Sequence, residues 1–121
     1  MRSILPMRKD SHTQQDFGIL RQRHNISKTG VLGLTRALAH RFGPEGIRVN
    51  VIAPGYHKTD MTKPLCSDPI PAAKIAAKAA LKRWGTVEDL VGAAVFLCSP
   101  AALFVTATTL PVDGGYVVSG F

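Results

Sequence analysis

The sequence has no glycine-rich phosphate-binding loop, no long apolar run and no cysteine framework. Neither G-x-x-x-G-x-G nor G-x-G-x-x-G occurs in its 121 residues, so the chain lacks the backbone turn that usually binds a dinucleotide pyrophosphate. No stretch of about 18 apolar residues occurs, which argues against a membrane-spanning helix and a membrane partner. The two cysteines, Cys66 and Cys98, have neither metal-ligand spacing nor a disulfide pattern. A reducing, cytoplasmic location is therefore expected, with no metal site.

Acidic residues are scarce. The chain has 8 Asp and Glu against 15 Lys and Arg, which gives a net charge of +7. A basic N-terminal region can indicate nucleic-acid binding or an organelle-targeting peptide. Here the positive charges are scattered, without interleaved aromatic residues or a known binding motif, so no nucleic-acid partner is expected. The charge excess instead suggests a domain whose compensating half is absent.

What remains is typical of a globular protein. Hydrophobic residues make up 45% of the chain and the mean hydropathy is +0.10, which argues against disorder. A chain of this length is long enough for one domain with a modest core. Residues 1–10 are expected to be a poorly defined N-terminal segment, because Pro6 follows the short apolar pair Ile4-Leu5 and weakens the prediction of a strand there.

A helix is predicted over residues 25–42. Small residues form a second face that would permit the close approach of another backbone, and Gly43-Pro44 ends the pattern. The expected core stripe has helical spacing and consists of Val31, Leu34, Leu38 and Phe42. The small-residue face consists of Gly30, Gly33 and Ala37.

Further along the chain, strands and helices alternate. Strands are predicted over residues 47–53 and 105–112, and helices over residues 72–82 and 87–98. Thr86 and Asp89 resemble a capping box at the start of the last helix, and Cys98 at its end is expected to be buried. The helix at 72–82 has few large apolar residues, so it is expected to be weakly anchored. This alternation predicts a parallel sheet covered by helices.

One group of motifs identifies the family that this chain resembles. His24 and Lys28 stand four residues apart on the predicted helix, Ser11 lies thirteen residues before His24, and the segments RVNVIAPG and LPVDGG follow. Together these features resemble the C-terminal half of a short-chain dehydrogenase/reductase. That family has Tyr-x-x-x-Lys where this chain has His24 and Lys28. The resemblance covers most of the chain, from Ser11 onward.

The resemblance implies catalytic roles for three residues. Lys28 would bind the nicotinamide ribose, Ser11 would orient the substrate oxygen, and His24 would replace the tyrosine that transfers a proton. His24 and Lys28 share a helix face because residues i and i+4 are neighbours. An imidazole can act as a general acid or base, although it does not reach as far as a tyrosine hydroxyl. The positive charge of Lys28 is expected to keep the His24 ring neutral, which favours alcohol oxidation over carbonyl reduction.

A second site is expected after the first predicted strand. Residues 54–59 resemble the P-G-x-x-x-T segment that contacts the nicotinamide carboxamide in the family, and they begin where ligands bind in open α/β sheets. The side chain of Thr59 and backbone groups near Tyr56 and His57 would make these contacts, and the alternative is an ordinary turn. The predicted cofactor-binding residues are Lys28, Pro54, Gly55, Tyr56, His57 and Thr59.

The resemblance also implies a fold and a function. The expected fold is α/β: a partial Rossmann-like, doubly wound parallel sheet, with residues 11–121 forming the C-terminal half of the family domain and the first βαβ half missing. The expected function is NAD- or NADP-dependent interconversion of a small-molecule alcohol and carbonyl, impaired by the missing half. The alternative is a non-catalytic truncated remnant. Expected protein partners are other copies of the chain or full-length relatives.

Overall fold

The computed structural model describes the backbone of residues 11–118 and the side chains of residues 27–118. The chain divides into two compact units, one of residues 1–34 and one of residues 35–121. Residues 1–10, predicted to be a poorly defined segment, lie outside the described residues. No helix within the described part of the chain is long and apolar enough to cross a membrane.

The first helix is longer than predicted. Helix α1 spans Ser11–Phe42, whereas the apolar periodicity indicated only residues 25–42. No proline interrupts this stretch, so nothing in the chain stops the helix from extending toward its N-terminus. The predicted stop is confirmed: a 3₁₀ turn at Gly43–Glu45 follows, and Gly46 takes the left-handed conformation with φ 77°.

The buried face of α1 differs from the predicted stripe. Val31 and Leu34 are 48% and 56% exposed, so the first half of that prediction is wrong. Among the side chains of α1 that the structure describes, residues 27–42, the buried ones are Thr35 and Ala39, at 6% and 3% exposure. These two positions are four residues apart and next to the apolar stripe, so the face that is buried is rotated toward small side chains.

A parallel sheet lies at the centre of the second unit. Strand β1, Val51–Pro54, pairs with strand β2, Thr109–Val112, and Val51 is opposite Thr109. The predicted α/β fold with a parallel sheet is confirmed. Both strands begin later than predicted, because the residues before them are joined partly by side-chain hydrogen bonds instead of a regular backbone ladder. Asn50 Nδ2 donates to Val105 O at 2.9 Å, and Asn50 Oδ1 accepts from Thr108 N–H at 3.2 Å.

Two short helices follow β1 where one helix was predicted at residues 72–82. Helix α2 is Lys63–Ser67 and helix α3 is Pro69–Lys78. The start of α3 is earlier than predicted because the Asp68 carboxylate accepts from Ile70 N–H at 3.0 Å, while Pro69 suits the first turn. Helix α3 ends earlier because Ala79 is extended.

The expected scarcity of apolar anchoring is confirmed, because no residue of α3 is buried. Trp84 is buried and donates from Nε1 to Ala72 O at 3.0 Å, which ties α3 to the loop that follows it. At the other end of α3, Lys78 Nζ lies 4.4 Å from the centre of the Tyr116 ring, a cation–π distance. Polar and cationic contacts therefore replace the large apolar residues that the helix lacks.

Helix α4, Glu88–Cys98, packs against both strands. Its residue Leu97 is buried, whereas the prediction that Cys98 is buried is wrong, because Cys98 is exposed. Successive residues point about 100° apart around a helix, so turning Leu97 toward the sheet turns Cys98 away. The capping prediction is confirmed in part: the Asp89 carboxylate accepts from Thr86 N–H at 2.7 Å.

Candidate functional site

The candidate site begins where β1 and β2 end. Because the strands are parallel, the loops after Pro54 and after Val112 leave the same edge of the sheet. The two loops touch at Gly55, whose N–H donates to Val112 O at 3.0 Å. A Cβ at Gly55 would lie 2.6 Å from Asp113 Cα, so only glycine permits this approach. The Pro54-Gly55 pair therefore brings the two strand ends together.

Asp113 organises the second loop. Its carboxylate accepts from Gly115 N–H at 2.9 Å and from Val117 N–H at 3.0 Å. Gly114 and Gly115 have φ values of 60° and 75°, so both need the freedom of glycine. Asp113 thus stabilises the turn.

The loop after β1 is held by a residue that the motif did not indicate. The Thr62 hydroxyl donates to His57 O at 2.6 Å and accepts from Thr59 N–H at 2.9 Å. It also lies 3.2 Å from Thr59 Oγ1. The sequence did contain a sign of this role, a second threonine three residues after Thr59, because threonine hydroxyls often form hydrogen bonds with nearby backbone groups of the same loop. Thr62 therefore positions two of the predicted contact residues.

The shortest of these distances favours one direction for the hydroxyl bonds. Thr62 has one hydroxyl proton, and the shortest bond, to His57 O, uses it. Thr62 Oγ1 is then the acceptor in its contact with Thr59 Oγ1, so the Thr59 hydroxyl donates there. The remaining lone pairs of Thr59 Oγ1 lie on an exposed side chain. Thr59 therefore offers a ligand a hydrogen-bond acceptor.

His57 is a buried member of the same loop, at 6% exposure. It forms a parallel bridge with Gly85: Lys58 N–H donates to Gly85 O and Gly85 N–H donates to Tyr56 O, both at 2.9 Å. The bridge ties the loop after β1 to the segment before α4. Tyr56, the residue before His57, packs edge-on against Trp84, with ring centres 5.6 Å apart, so an aromatic contact also stabilises the loop.

An ion pair joins the segment before α4 to the first turn of that helix. Arg83 Nη1 and Nη2 donate to the two carboxylate oxygens of Asp89 at 2.7 and 2.8 Å. Arg83 also donates to Trp84 O at 3.0 Å. Pairing with Arg83, followed by the bond from Thr86 N–H, holds the pKa of the Asp89 carboxyl well below its usual range.

The two loops and this segment surround a cavity of about 220 Å³. Its wall combines apolar groups with side chains that carry charge, among them Arg83, Asp89 and Asp113. Within residues 27–118, no three His, Cys, Asp or Glu side chains come together as a metal site would require.

The predicted catalytic residues lie on α1. Lys28 is exposed, while the side chains of Ser11 and His24 lie outside the described residues. Lys28 follows His24 by one helical turn, as the motif requires. Ser11 is the first residue of the same helix, so about 20 Å of helix axis separates it from His24. Helix α1 therefore does not itself bring Ser11 and His24 together, and the roles of all three residues stay predictions.

Comparisons with known proteins find close relatives for this combination of sequence and fold. The model of a family described as enoyl-(acyl carrier protein) reductase matches residues 12–117. The chain is 43% identical to gluconate 5-dehydrogenase of Gluconobacter oxydans over 96 residues, which cover 79% of this chain and 38% of that enzyme. It spans about 30–40% of the length of the curated relatives that it matches.

Solved structures match equally well. A 4-hydroxyisoleucine dehydrogenase complexed with NADH is 34% identical, with a TM-score of 0.74 over 77% of this chain and 38% of that chain. A structure from Agrobacterium tumefaciens with bound NADP is 45% identical, with a TM-score of 0.74 and the same two coverages, 77% and 38%. The solved structures similar to this chain thus include dehydrogenases with bound NADH or NADP.

Proposed function

The chain belongs to the short-chain dehydrogenase/reductase family, and we propose that it carries the catalytic helix and the nicotinamide-side loop of an NAD- or NADP-dependent oxidoreductase. The reaction is the interconversion of a secondary alcohol and a carbonyl. Bound NAD or NADP supplies the hydride acceptor or donor. The chain's own residues bind the nicotinamide end, orient the alcohol and move its proton.

The observation that carries this proposal is the Thr59–Thr62 pair at the carboxyl end of β1. It leaves Thr59 Oγ1 as an acceptor, and the amide group of a nicotinamide carboxamide is a matching donor. Gly55 allows the loop after β2 to pack directly against this loop at the same edge of the sheet. The loop therefore has the chemistry to bind the nicotinamide end of NAD or NADP, the cofactors bound in the solved relatives.

Proton transfer is assigned to the α1 motif. His24 would accept the alcohol proton, and Lys28, one turn later on the same face, would bind the ribose. Both assignments follow the pattern of the family onto residues at matching positions. A neutral imidazole has a lone pair for an alcohol proton and little tendency to protonate a carbonyl, so oxidation is the favoured direction.

We further propose a polyhydroxy acid as the substrate. The segment from Lys58 to Arg83 has six basic residues against two acidic ones, so it favours an anionic ligand. The relative from Gluconobacter oxydans is a gluconate dehydrogenase, and gluconate is such an anion. The basic residues are Lys58, Lys63, Lys74, Lys78, Lys82 and Arg83.

The test measures two quantities: the binding of NAD⁺ and NADP⁺ to the chain, and their reduction in the presence of D-gluconate. Thr59→Val and Thr59→Ser are the matched variants. Valine removes the hydroxyl at nearly constant size, so it should weaken cofactor binding about tenfold, whereas serine should retain it. Equal binding by both variants contradicts the Thr59 assignment. Cofactor binding without turnover favours the non-catalytic alternative, and no binding of either cofactor contradicts the proposal.

A further inference from the structure

The ring of His57 is enclosed by its own loop and by Gly85. A Cβ at position 85 would lie 2.5 Å from His57 Cδ2 and 2.7 Å from Nε2, so the imidazole fills the space that a side chain there would need. The φ angle of Gly85 is not in the left-handed region, so its backbone conformation does not itself demand glycine. The ring is therefore what makes glycine necessary at this position.

One nitrogen of the ring has a definite partner. His57 Nδ1 lies 3.2 Å from Gly55 O, and a carbonyl oxygen can only accept, so Nδ1 carries the proton. This bond spans two residues, from the glycine that follows β1 to the middle of the loop. With the backbone bridge to Gly85, it holds the loop on two sides.

We propose that the His57 imidazole is a positioning residue that keeps residues 55–59 in the shape needed to bind nicotinamide. The inference rests on the proposed function. The ring acts through the backbone and does not touch the cofactor. Its Nδ1–H bond to Gly55 O and its contact with Gly85 keep the loop extended. This leaves Thr62 correctly placed to bond His57 O and to orient Thr59.

The geometry explains why the effect passes through the backbone. In an extended bridge, Tyr56 O and Lys58 N–H face Gly85, so the N–H and C=O of His57 face the opposite side. That opposite side is where Thr62 binds His57 O at 2.6 Å. A ring that moved would rotate this peptide and shift the Thr59 acceptor with it. A displacement of about 1 Å can reduce activity about a hundredfold.

Two substitutions separate the ring's hydrogen bond from simple space filling. His57→Asn places an amide N–H close to the position of Nδ1, whereas His57→Gln places its amide near Nε2. Both are polar and fit within the space of the imidazole. We would measure amide hydrogen exchange at Lys58 and Gly85, and the affinity for reduced nicotinamide mononucleotide, in the full chain. The amides of Val51 and Gly55, bonded to Thr108 O and Val112 O, report whether the strand pairing is intact.

We expect His57→Asn to retain slow exchange and mononucleotide affinity. His57→Gln should accelerate exchange at Lys58 and Gly85 and weaken mononucleotide binding, each about tenfold, with Val51 and Gly55 unchanged. A glutamine variant that behaves as the unsubstituted chain overturns the proposal. So does faster exchange without weaker binding, which is a structural role alone, and so does equal loss in both variants.

The same measurements distinguish a failure of the proposed function from a failure of the role assigned to His57. If the unsubstituted chain does not bind the mononucleotide, the nicotinamide assignment of this loop is wrong, and the positioning role is lost with it. If the unsubstituted chain binds and the glutamine variant binds equally well, the nicotinamide assignment stands and only the role of His57 is wrong. If the glutamine variant also loses protection at Val51 and Gly55, the ring holds the sheet as a whole, which overturns a role specific to the loop.

Discussion

At the scale of single residues, the Thr62 hydroxyl does the most to define the candidate site. It contacts His57 O and three polar atoms of Thr59, the N–H, the carbonyl oxygen and Oγ1, and it also accepts from Cys66 Sγ. These contacts hold the loop, and the shortest, to His57 O, favours a Thr59 hydroxyl that donates to Thr62. The motif P-G-x-x-x-T indicated Thr59 but not Thr62, because the pattern marks the residue offered to a ligand and not the residue that holds it.

Thr62→Val should therefore destabilise the protein. The substitution removes the donor to His57 O and the acceptor for Thr59 N–H, so we expect the free energy of unfolding to fall by about 1–3 kcal/mol. Thr62→Ser keeps the hydroxyl and should lose much less. Urea unfolding of the three proteins measures the difference, and equal stability of the valine and serine variants would show that the network contributes nothing.

The altered catalytic position gives a second prediction at this scale. His24→Tyr should raise the rate in both directions in the gluconate assay, and carbonyl reduction more than oxidation, because tyrosine reaches further and can donate its proton. With His24 in place, oxidation should decline below about pH 6 as the imidazole becomes protonated and ceases to be a base. Steady-state rates against pH measure both effects. Reduction by the histidine form as fast as by the tyrosine form would contradict this protonation state.

At the scale of elements, the segment between α3 and α4 connects the site to the rest of the fold. It contributes the buried Trp84, the bridge at Gly85 and the Arg83–Asp89 pair. Its sequence indicated a helix cap at Thr86 but not the bridge, because that pairing joins residues 28 positions apart along the chain. The same reason explains α3: its anchors, Trp84 and Tyr116, lie outside the helix.

The Arg83–Asp89 pair predicts a dependence of stability on pH. The pKa of Asp89 is lowered in the folded protein, so the folded state binds fewer protons than the unfolded state. The stabilisation is complete above the unfolded pKa of about 3.9 and is lost as the pH falls further. Asp89→Asn should therefore be less stable than the unsubstituted protein at neutral pH, and the difference should shrink below about pH 4. Thermal unfolding across that range measures it, and a difference that does not change with pH would contradict the pairing.

The contact of His57 with Gly85 predicts coupling between two sites. Gly85→Ala inserts a methyl group against the imidazole and should cost about 1–3 kcal/mol of unfolding free energy. In a His57→Ala background the ring is gone, so the same methyl group should cost much less. A double-mutant cycle by urea unfolding measures the coupling, and additive effects would mean that the two residues do not press on each other.

At the scale of the whole molecule, the motifs predicted more than the periodicities did. The alternation of strands and helices predicted the parallel sheet, and the family motifs located it, because RVNVIAPG contains β1 and LPVDGG contains most of β2, each with the turn that follows. The apolar periodicity gave wrong predictions of burial where burial depends on which elements of the fold pack against a helix. Val31 and Leu34 follow a helical stripe yet are exposed, and Cys98 ends an apolar run yet faces outward. Such patterns show which faces are apolar, and the packing of the fold decides which of them are covered.

The uncovered apolar surface predicts self-association. Within the described residues the sheet has two strands, so each strand has an unpaired edge. Large apolar residues are exposed nearby on α4 and the turn after it, and Phe104 is fully exposed. We expect the chain to form oligomers or aggregates, and Phe104→Ser to shift the distribution toward smaller species. Sedimentation velocity over a concentration series measures this, and a monomer at high concentration that unfolds cooperatively would contradict it.

The most direct test of the central claim is a titration of the isotopically labelled chain with reduced nicotinamide mononucleotide, followed by backbone chemical shifts. If the loop after β1 is the nicotinamide side of a short-chain dehydrogenase/reductase site, the largest shift changes will fall at Gly55, Tyr56, His57, Thr59 and Thr62. Changes confined to other parts of the chain, or none at saturating mononucleotide, would contradict that claim.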